Sequence, residues 1–179
     1  MKQRLVVISD MWGEGQSEWL SLYKETLERN FDVSYYDACQ IAEINTNIYT
    51  ETNIHQQFVA KGIDVGVNFL LKNERTTSHV LAFSVGGVIA WKAVLLGMLV
   101  DQMYLVSATR IRYEIERPLG SINTFFGAED VYKPTPDWFA SLNIETHEFT
   151  DVGHQLYKNP SCAEMILECI CKKINIESN

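Results

Sequence analysis

The sequence predicts a three-layer α/β fold: a mainly parallel sheet of about six strands with helices on both faces, in a single domain over residues 1–179. Three observations predict it. Short apolar runs alternate with segments of helical spacing along the whole chain, the pattern of strands joined by crossover helices. The first run, Leu5-Val6-Val7-Ile8, is continuous rather than alternating, as in a strand covered on both faces. No internal repeat, low-complexity tract or linker breaks the alternation.

The elements follow in order. After Leu5–Ile8 comes a Gly-containing loop, Ser9 to Gly15, with Ser17 as the expected N-cap of a helix reaching Asn30 on a stripe of Trp19, Leu20, Tyr23 and Leu27. Asp32 to Tyr36 reads as the second strand, and residues 38–52, polar and Asn/Thr-rich, as a long connection. Ile54, Phe58, Val65 and Phe69 keep helical spacing from Thr52 to Lys72, although Gly62 and Gly66 each weaken that helix by roughly 1 kcal/mol relative to Ala, with a break expected near Gly62. The central strand runs from His79 to Phe83, Ser84 turns into a buried helix, and Gly97 stops it. Gln102–Val106, Ser121–Phe126 and Ile144–Phe149 are the remaining strands, with a short helix inside Pro134–Leu142. Asn159 caps and Pro160 begins a last helix with the stripe Ala163, Ile166, Leu167, Ile170 and Ile174.

Composition bounds the partners. A formal net charge of −8 without a basic cluster argues against nucleic acid and anionic membrane surfaces, both of which need concentrated Lys and Arg. No apolar run is long enough for a transmembrane helix; the stretch from Val85 to Val100 is interrupted by Lys92 and three Gly. Met1-Lys2-Gln3-Arg4 leads straight into an apolar run too brief for a signal peptide, so a cytoplasmic protein is expected. Cys39, Cys162, Cys169 and Cys171 show neither a disulfide framework nor zinc-ligand spacing, and no metal is expected.

The chemistry gathers at the carboxyl ends of the strands, where function collects in such sheets. Ala82-Phe83-Ser84-Val85-Gly86 is the nucleophile-elbow pattern G-x-S-x-G with Ala in the first position. There a strand turns so sharply into a helix that only small residues fit beside the strained turn residue. A Ser hydroxyl needs a neighbouring base to become a nucleophile. His154 follows the sixth strand and Asp130 the fifth, which supplies an imidazole to take the proton and a carboxylate to hold the imidazole, in the chain order Ser, Asp, His. Glu129 and Asp151 are rival acids, Asp151 being so near His154 that a loop-capping role suits it better. His55 in a helix, His79 at a strand start and His147 within a strand are less well placed. An oxyanion hole would take one N–H from Val85 and a second from the loop after the first strand, at Trp12 by preference and Met11 in reserve.

With these residues in view, the chain resembles a small α/β-hydrolase without a lid domain. The likeness rests on Asp10-Met11-Trp12-Gly13, Ala82-Phe83-Ser84-Val85-Gly86-Gly87, Gly127-Ala128-Glu129-Asp130 and Gly153-His154. It implies Ser84 as nucleophile, Asp130 as acid, His154 as base, and oxyanion donors at Val85 and at Trp12 or Met11. Two departures stand out: Ala82 replaces the first Gly of the elbow, and the first loop reads Asp-Met-Trp-Gly where many members carry His-Gly. The first two antiparallel strands of the fuller fold are also expected to be missing.

Only Ser107 to Leu119 lies where such enzymes often carry a lid, so an open cleft is expected. Arg110, Arg112 and Arg117 in that loop are read as pairing with Glu114 and Glu116, with Arg110, Tyr113 and Trp12 as the residues that would meet substrate. The resemblance implies a small-molecule ester or thioester as substrate and no cofactor. The alternative of another class is a binding or scaffolding protein that keeps the fold without turnover. The distance between Ser84 Oγ and His154 separates the two readings.

Overall fold

A computed structural model describes residues 2–175; Met1, part of the leader reading, and residues 176–179, part of the expected 1–179 domain, lie outside them. Six strands form one sheet in the order β2-β1-β3-β4-β5-β6, and every pairing is parallel. They are β1 (Gln3–Ile8), β2 (Phe31–Tyr36), β3 (Ser78–Phe83), β4 (Val100–Val106), β5 (Ser121–Gly127) and β6 (Glu145–Phe149). Among the described residues the sheet has no antiparallel pairing.

Burial follows the pleat. Leu5, Val7, Leu81, Phe83, Tyr104, Val106 and Phe125 face one layer. Helices α1 (Ser21–Asn30) and α7 (Pro160–Asn175) cover it with Tyr23, Leu27, Ile166 and Ile170. Val6, Ile8, Val80, Ala82, Met103, Leu105, Ile122 and Phe126 face the other layer. There α2 (Ala38–Ile41), α3 (Glu51–Gln57), α4 (Ile63–Asn73), α5 (Val85–Leu95) and α6 (Pro136–Ser141) pack. Successive strand side chains point to opposite faces and both faces are covered, so the continuous apolar runs are satisfied on each side.

Several elements differ from the expectation. Ser17 caps no α-helix: its hydroxyl donates to Glu14 O at 3.2 Å, it sits between two short 3₁₀ turns, Gly13–Gln16 and Glu18–Leu20, and α1 begins at Ser21. The connection after β2 contains α2, capped by Asp37, whose Oδ1 accepts from Gln40 N at 3.0 Å. The helix expected over Thr52–Lys72 is divided by a π-helical turn, Phe58–Gly62, at the glycine that weakened it. A Cβ on Gly62 would meet Ile44 Cδ1 at 2.6 Å, so the glycine also admits a neighbouring loop. Pro160 opens α7 as expected, with Asn159 Oδ1 accepting from Ser161 N and Cys162 N. Among the described residues no helix is long and apolar enough to cross a membrane.

Candidate active site

Ser84 stands between β3, buried at every position, and α5, buried along most of its length. Its backbone has φ +49° and ψ −117°, a region that L-residues enter only under constraint. The constraint is visible. Ser84 N donates to Val106 O at 2.8 Å, pinning the turn to the end of β4. On the opposite side α5 passes so close to β1 that a Cβ at Gly86 would lie 2.6 Å from Ser9 O and 2.8 Å from Ile8 Cγ2. The glycine of the elbow pattern is therefore a steric requirement, and Ala82, fully buried, fills the other small position.

The hydroxyl so presented meets His154, in the loop after β6: Ser84 Oγ lies 3.1 Å from Nε2. His154 Nδ1 lies 2.8 Å from Asp130 Oδ2. With its proton on Nδ1 the ring donates to the carboxylate and leaves Nε2 to accept from the hydroxyl. An imidazole held this way can withdraw the hydroxyl proton. Asp130 sits in the turn after β5 with its side chain 1% exposed, and its Oδ1 accepts from Tyr132 N at 3.0 Å. Burial pushes the Asp130 carboxyl up, but the hydrogen bond from His154, that from Tyr132 N and the charges of His154 and Arg112 outweigh it and hold it below its ordinary value. The acid turn is tied to the exit of β6 by Ala128 N donating to Phe149 O and Glu129 N donating to Val152 O.

The rival groups lie elsewhere. Glu129 and Asp151 are exposed, Asp151 at φ +60° in the turn after β6. His55 is in α3, His79 is bonded to Gln3 Oε1, and His147 stacks on Phe125.

The loop after β1 lies beside the elbow, since Ile8 pairs with Ala82. Here the preference for Trp12 as second donor is overturned: Trp12 N already donates to Asp10 Oδ1 at 3.1 Å. Among the described residues Met11 N has no hydrogen-bond partner, while Met11 O accepts from Cys39 Sγ at 3.1 Å. Burial and the nearby carboxylates of Asp37 and Asp10 push the Cys39 thiol up to about 12, so it stays a donor at neutral pH. Val85 is the first residue of α5, and its N–H is one of the donors a helix start leaves free. Trp12 itself packs edge-on against Tyr49, whose hydroxyl donates to Trp12 O.

The Arg–Glu pairing expected in residues 107–119 does not form. Glu114 is taken by Lys92 at 3.1 Å. Arg112 instead donates to Thr109 O and Tyr132 O, with its guanidinium 4.3 Å from the Tyr113 ring centre. It thereby joins this loop to the acid turn. Arg117 donates to Pro118 O and Gly120 O. Arg110 and Tyr113 line a cleft of about 350 Å³ together with Val59, Lys61, Asp64 and Lys92; Ser84, His154 and Trp12 are not in its wall. Among the described residues no group of three His, Cys, Asp or Glu side chains is placed to hold a metal, and the four cysteines are free.

Two further polar groups at this end of the sheet escaped the sequence reading. Asp10 is fully buried, and its Oδ2 accepts from Tyr157 Oη at 2.8 Å. Asp10 reads locally as an ordinary turn residue, and nothing local links it to a tyrosine 147 positions away.

No protein-family model matches the chain, and no curated protein matches it at a significant level. Solved structures do. A carboxylesterase structure from the ammonia-oxidizing thaumarchaeon Nitrososphaera gargenis aligns over 98% of this chain and 92% of its own, with TM-score 0.68 and 13% identity. Est1E from Butyrivibrio proteoclasticus, solved with ferulic acid bound, aligns over 97% of this chain and 90% of its own, with TM-score 0.68 and 10% identity. Mouse alpha/beta hydrolase domain-containing protein 10 aligns over 100% of this chain and 93% of its own, with TM-score 0.64 and 8% identity. At these identities the likeness is one of fold.

Proposed function

We propose that this chain, which has the α/β-hydrolase fold, is a serine hydrolase that cleaves a small carboxylic ester or thioester through an acyl-enzyme. The observation that carries the reading is the pair of contacts in series, 3.1 Å from Ser84 Oγ to His154 Nε2 and 2.8 Å from His154 Nδ1 to Asp130 Oδ2. The first falls within the roughly 2.6–3.2 Å expected of a nucleophile and its base.

In this reading Ser84 Oγ attacks the substrate carbonyl carbon as its proton passes to His154 Nε2. The carbonyl oxygen becomes an oxyanion and takes hydrogen bonds from Val85 N and Met11 N. Collapse of the tetrahedral intermediate breaks the bond to the alcohol or thiol, which leaves with the proton from Nε2. Water then attacks the acyl carbon, giving one proton to His154; collapse returns that proton to Ser84 Oγ and releases the acid. Asp130 keeps His154 in the Nδ1–H tautomer and stabilises the imidazolium throughout. These steps need neither a metal nor an organic cofactor.

The substrate enters from solvent, because the segment at the lid position is a single 3₁₀ turn, Thr109–Tyr113, with short irregular flanks. Incubation with a fluorophosphonate probe tests the reading. A covalent adduct on Ser84 of the folded protein, lost in Ser84→Ala, is expected. A folded protein that takes no adduct and turns over neither p-nitrophenyl acetate nor an acyl thioester overturns it.

A further inference from the structure

A fully buried carboxyl group with no role in the steps above sits at the active end of the sheet. Asp10 is 0% exposed, and among the described residues it forms no ion pair with Lys or Arg. Burying a carboxyl group without a cation opposes folding, and an apolar residue at such a position is often as stable or more so. Its presence there calls for another explanation.

The explanation lies in what its two oxygens join. Oδ1 accepts from Trp12 N at 3.1 Å and so shapes the loop that carries Met11. Oδ2 accepts from Tyr157 Oη at 2.8 Å, three residues beyond His154. Tyr157 is itself anchored. Its carbonyl accepts from Tyr23 Oη at 3.0 Å, and its ring lies 4.6 Å from Trp19 and 5.5 Å from Phe83, the residue before Ser84. The same ring stands edge-on to His154 at 6.5 Å. Burial pushes the Asp10 carboxyl up, opposed by the Tyr157 hydroxyl, Trp12 N and the charges of Lys158 and His154.

We propose that Asp10 is a positioning residue that locks the loop bearing Met11 to the segment bearing His154, one oxygen holding each. The inference rests on the hydrolase reading, in which Met11 N and Val85 N must meet the oxyanion without rearranging. Trp12 N, spent on Asp10, is what fixes the turn in which Met11 N is left free. The hydroxyl of Tyr157 carries that geometry across to the base, so donor and base keep a constant separation through the cycle.

The test uses Tyr157→Phe, which keeps the ring packing, Asp10→Asn, which keeps the shape, and the double variant, assayed with p-nitrophenyl acetate and inhibited by a trifluoromethyl ketone. Each single variant is expected to lower kcat about tenfold with KM changed less than about twofold, the mark of an interaction needed in the transition state. The inhibition constant of the ketone, which forms a tetrahedral oxyanion, rises by the same factor. The double variant is no slower than the slower single one, because both cut one link. Variants that melt cooperatively with unchanged kcat and ketone affinity overturn the proposal, as do single effects that multiply in the double variant. If Asp10→Asn does not fold, Tyr157→Phe decides by the same two readouts. A wild-type protein that takes no fluorophosphonate label overturns the hydrolase reading and the inference with it, whereas a labelled, active wild type with indifferent variants overturns the inference alone.

Discussion

Gly127 approaches Val152 so closely that a Cβ on the glycine would lie 2.2 Å from the Val152 carbonyl oxygen and 2.5 Å from that of Gly153. Real side chains do not make such contacts, and both obstacles are backbone. The end of β5, which leads to Asp130, and the strand exit that leads to His154 therefore touch main chain to main chain. The 2.8 Å contact between Asp130 and His154 depends on that approach.

Gly127→Ala is expected to force the two segments apart. It should destabilise the protein by about 1–3 kcal/mol. Displacing the imidazole by even an ångström should lower kcat about 100-fold. Thermal melts and ester kinetics on the same sample check both. A variant with wild-type kcat would show that the base is positioned by something other than this contact.

Asp130→Asn keeps the shape of the acid and removes its charge. The amide can donate to Nδ1 and so favours the tautomer with its proton on Nε2, where it cannot accept from Ser84. The expected fall in kcat is roughly 10³- to 10⁴-fold with little change in KM. Steady-state kinetics with a p-nitrophenyl ester measure it. A fall of less than tenfold would remove Asp130 from the proposed mechanism.

The strands and the main helices were legible because each has an apolar signal, continuous in β1, β3 and α5 and periodic in α1 and α7, and the sheet is covered on both sides. The four residues of α2 were not, since a helix that short has no periodicity and lies in an Asn/Thr-rich stretch. The elbow was legible because its steric demands are local: Gly86 and Ala82 flank the turn in sequence as they do in space. The preference for Trp12 over Met11 failed on a local effect too. An Asp side chain readily accepts from the backbone N–H two positions on, as Asp10 does from Trp12, and that signal was present in Asp10-Met11-Trp12. The expected Arg–Glu pairing in residues 107–119 failed because Lys92, from α5, takes Glu114. Sequence proximity says nothing of such a competitor.

Ser84 at φ +49° and ψ −117° stores backbone strain that a glycine would not feel. Ser84→Ala and Ser84→Gly should both abolish esterase activity and labelling, yet differ in stability. The glycine variant is expected to exceed the alanine variant by about 1–2 kcal/mol, offset in part by the greater freedom of an unfolded glycine. Urea titrations of the two inactive variants give the difference. Equal midpoints, or a less stable glycine variant, would mean that the turn is not strained.

Asp130 and Asp10, both buried, should respond to acid with opposite signs. Asp130 has its folded value below the ordinary 3.8, the carboxylate being favoured by His154, Tyr132 N and nearby charge despite burial. Its contribution to stability is fully present above 3.8 and is lost as pH falls through the lowered folded value. Asp10 has its folded value raised above 3.8, burial being the largest cause. Between 3.8 and that raised value the folded state keeps a proton that the unfolded state has released. Stability from Asp10 therefore falls as pH rises through this window and levels off above it. The groups that modulate it are Tyr157, Trp12 N, Lys158 and His154. In Asp10→Asn this descent disappears, because the amide does not titrate. The melting temperature of the wild type relative to Asp10→Asn should be highest at the acid end of the range and decline as the carboxyl ionises. Melts of the two proteins from about pH 3.5 to pH 8 measure that difference. A difference that stays flat, or grows with pH, would mean that Asp10 is as comfortable ionised in the fold as it is in water.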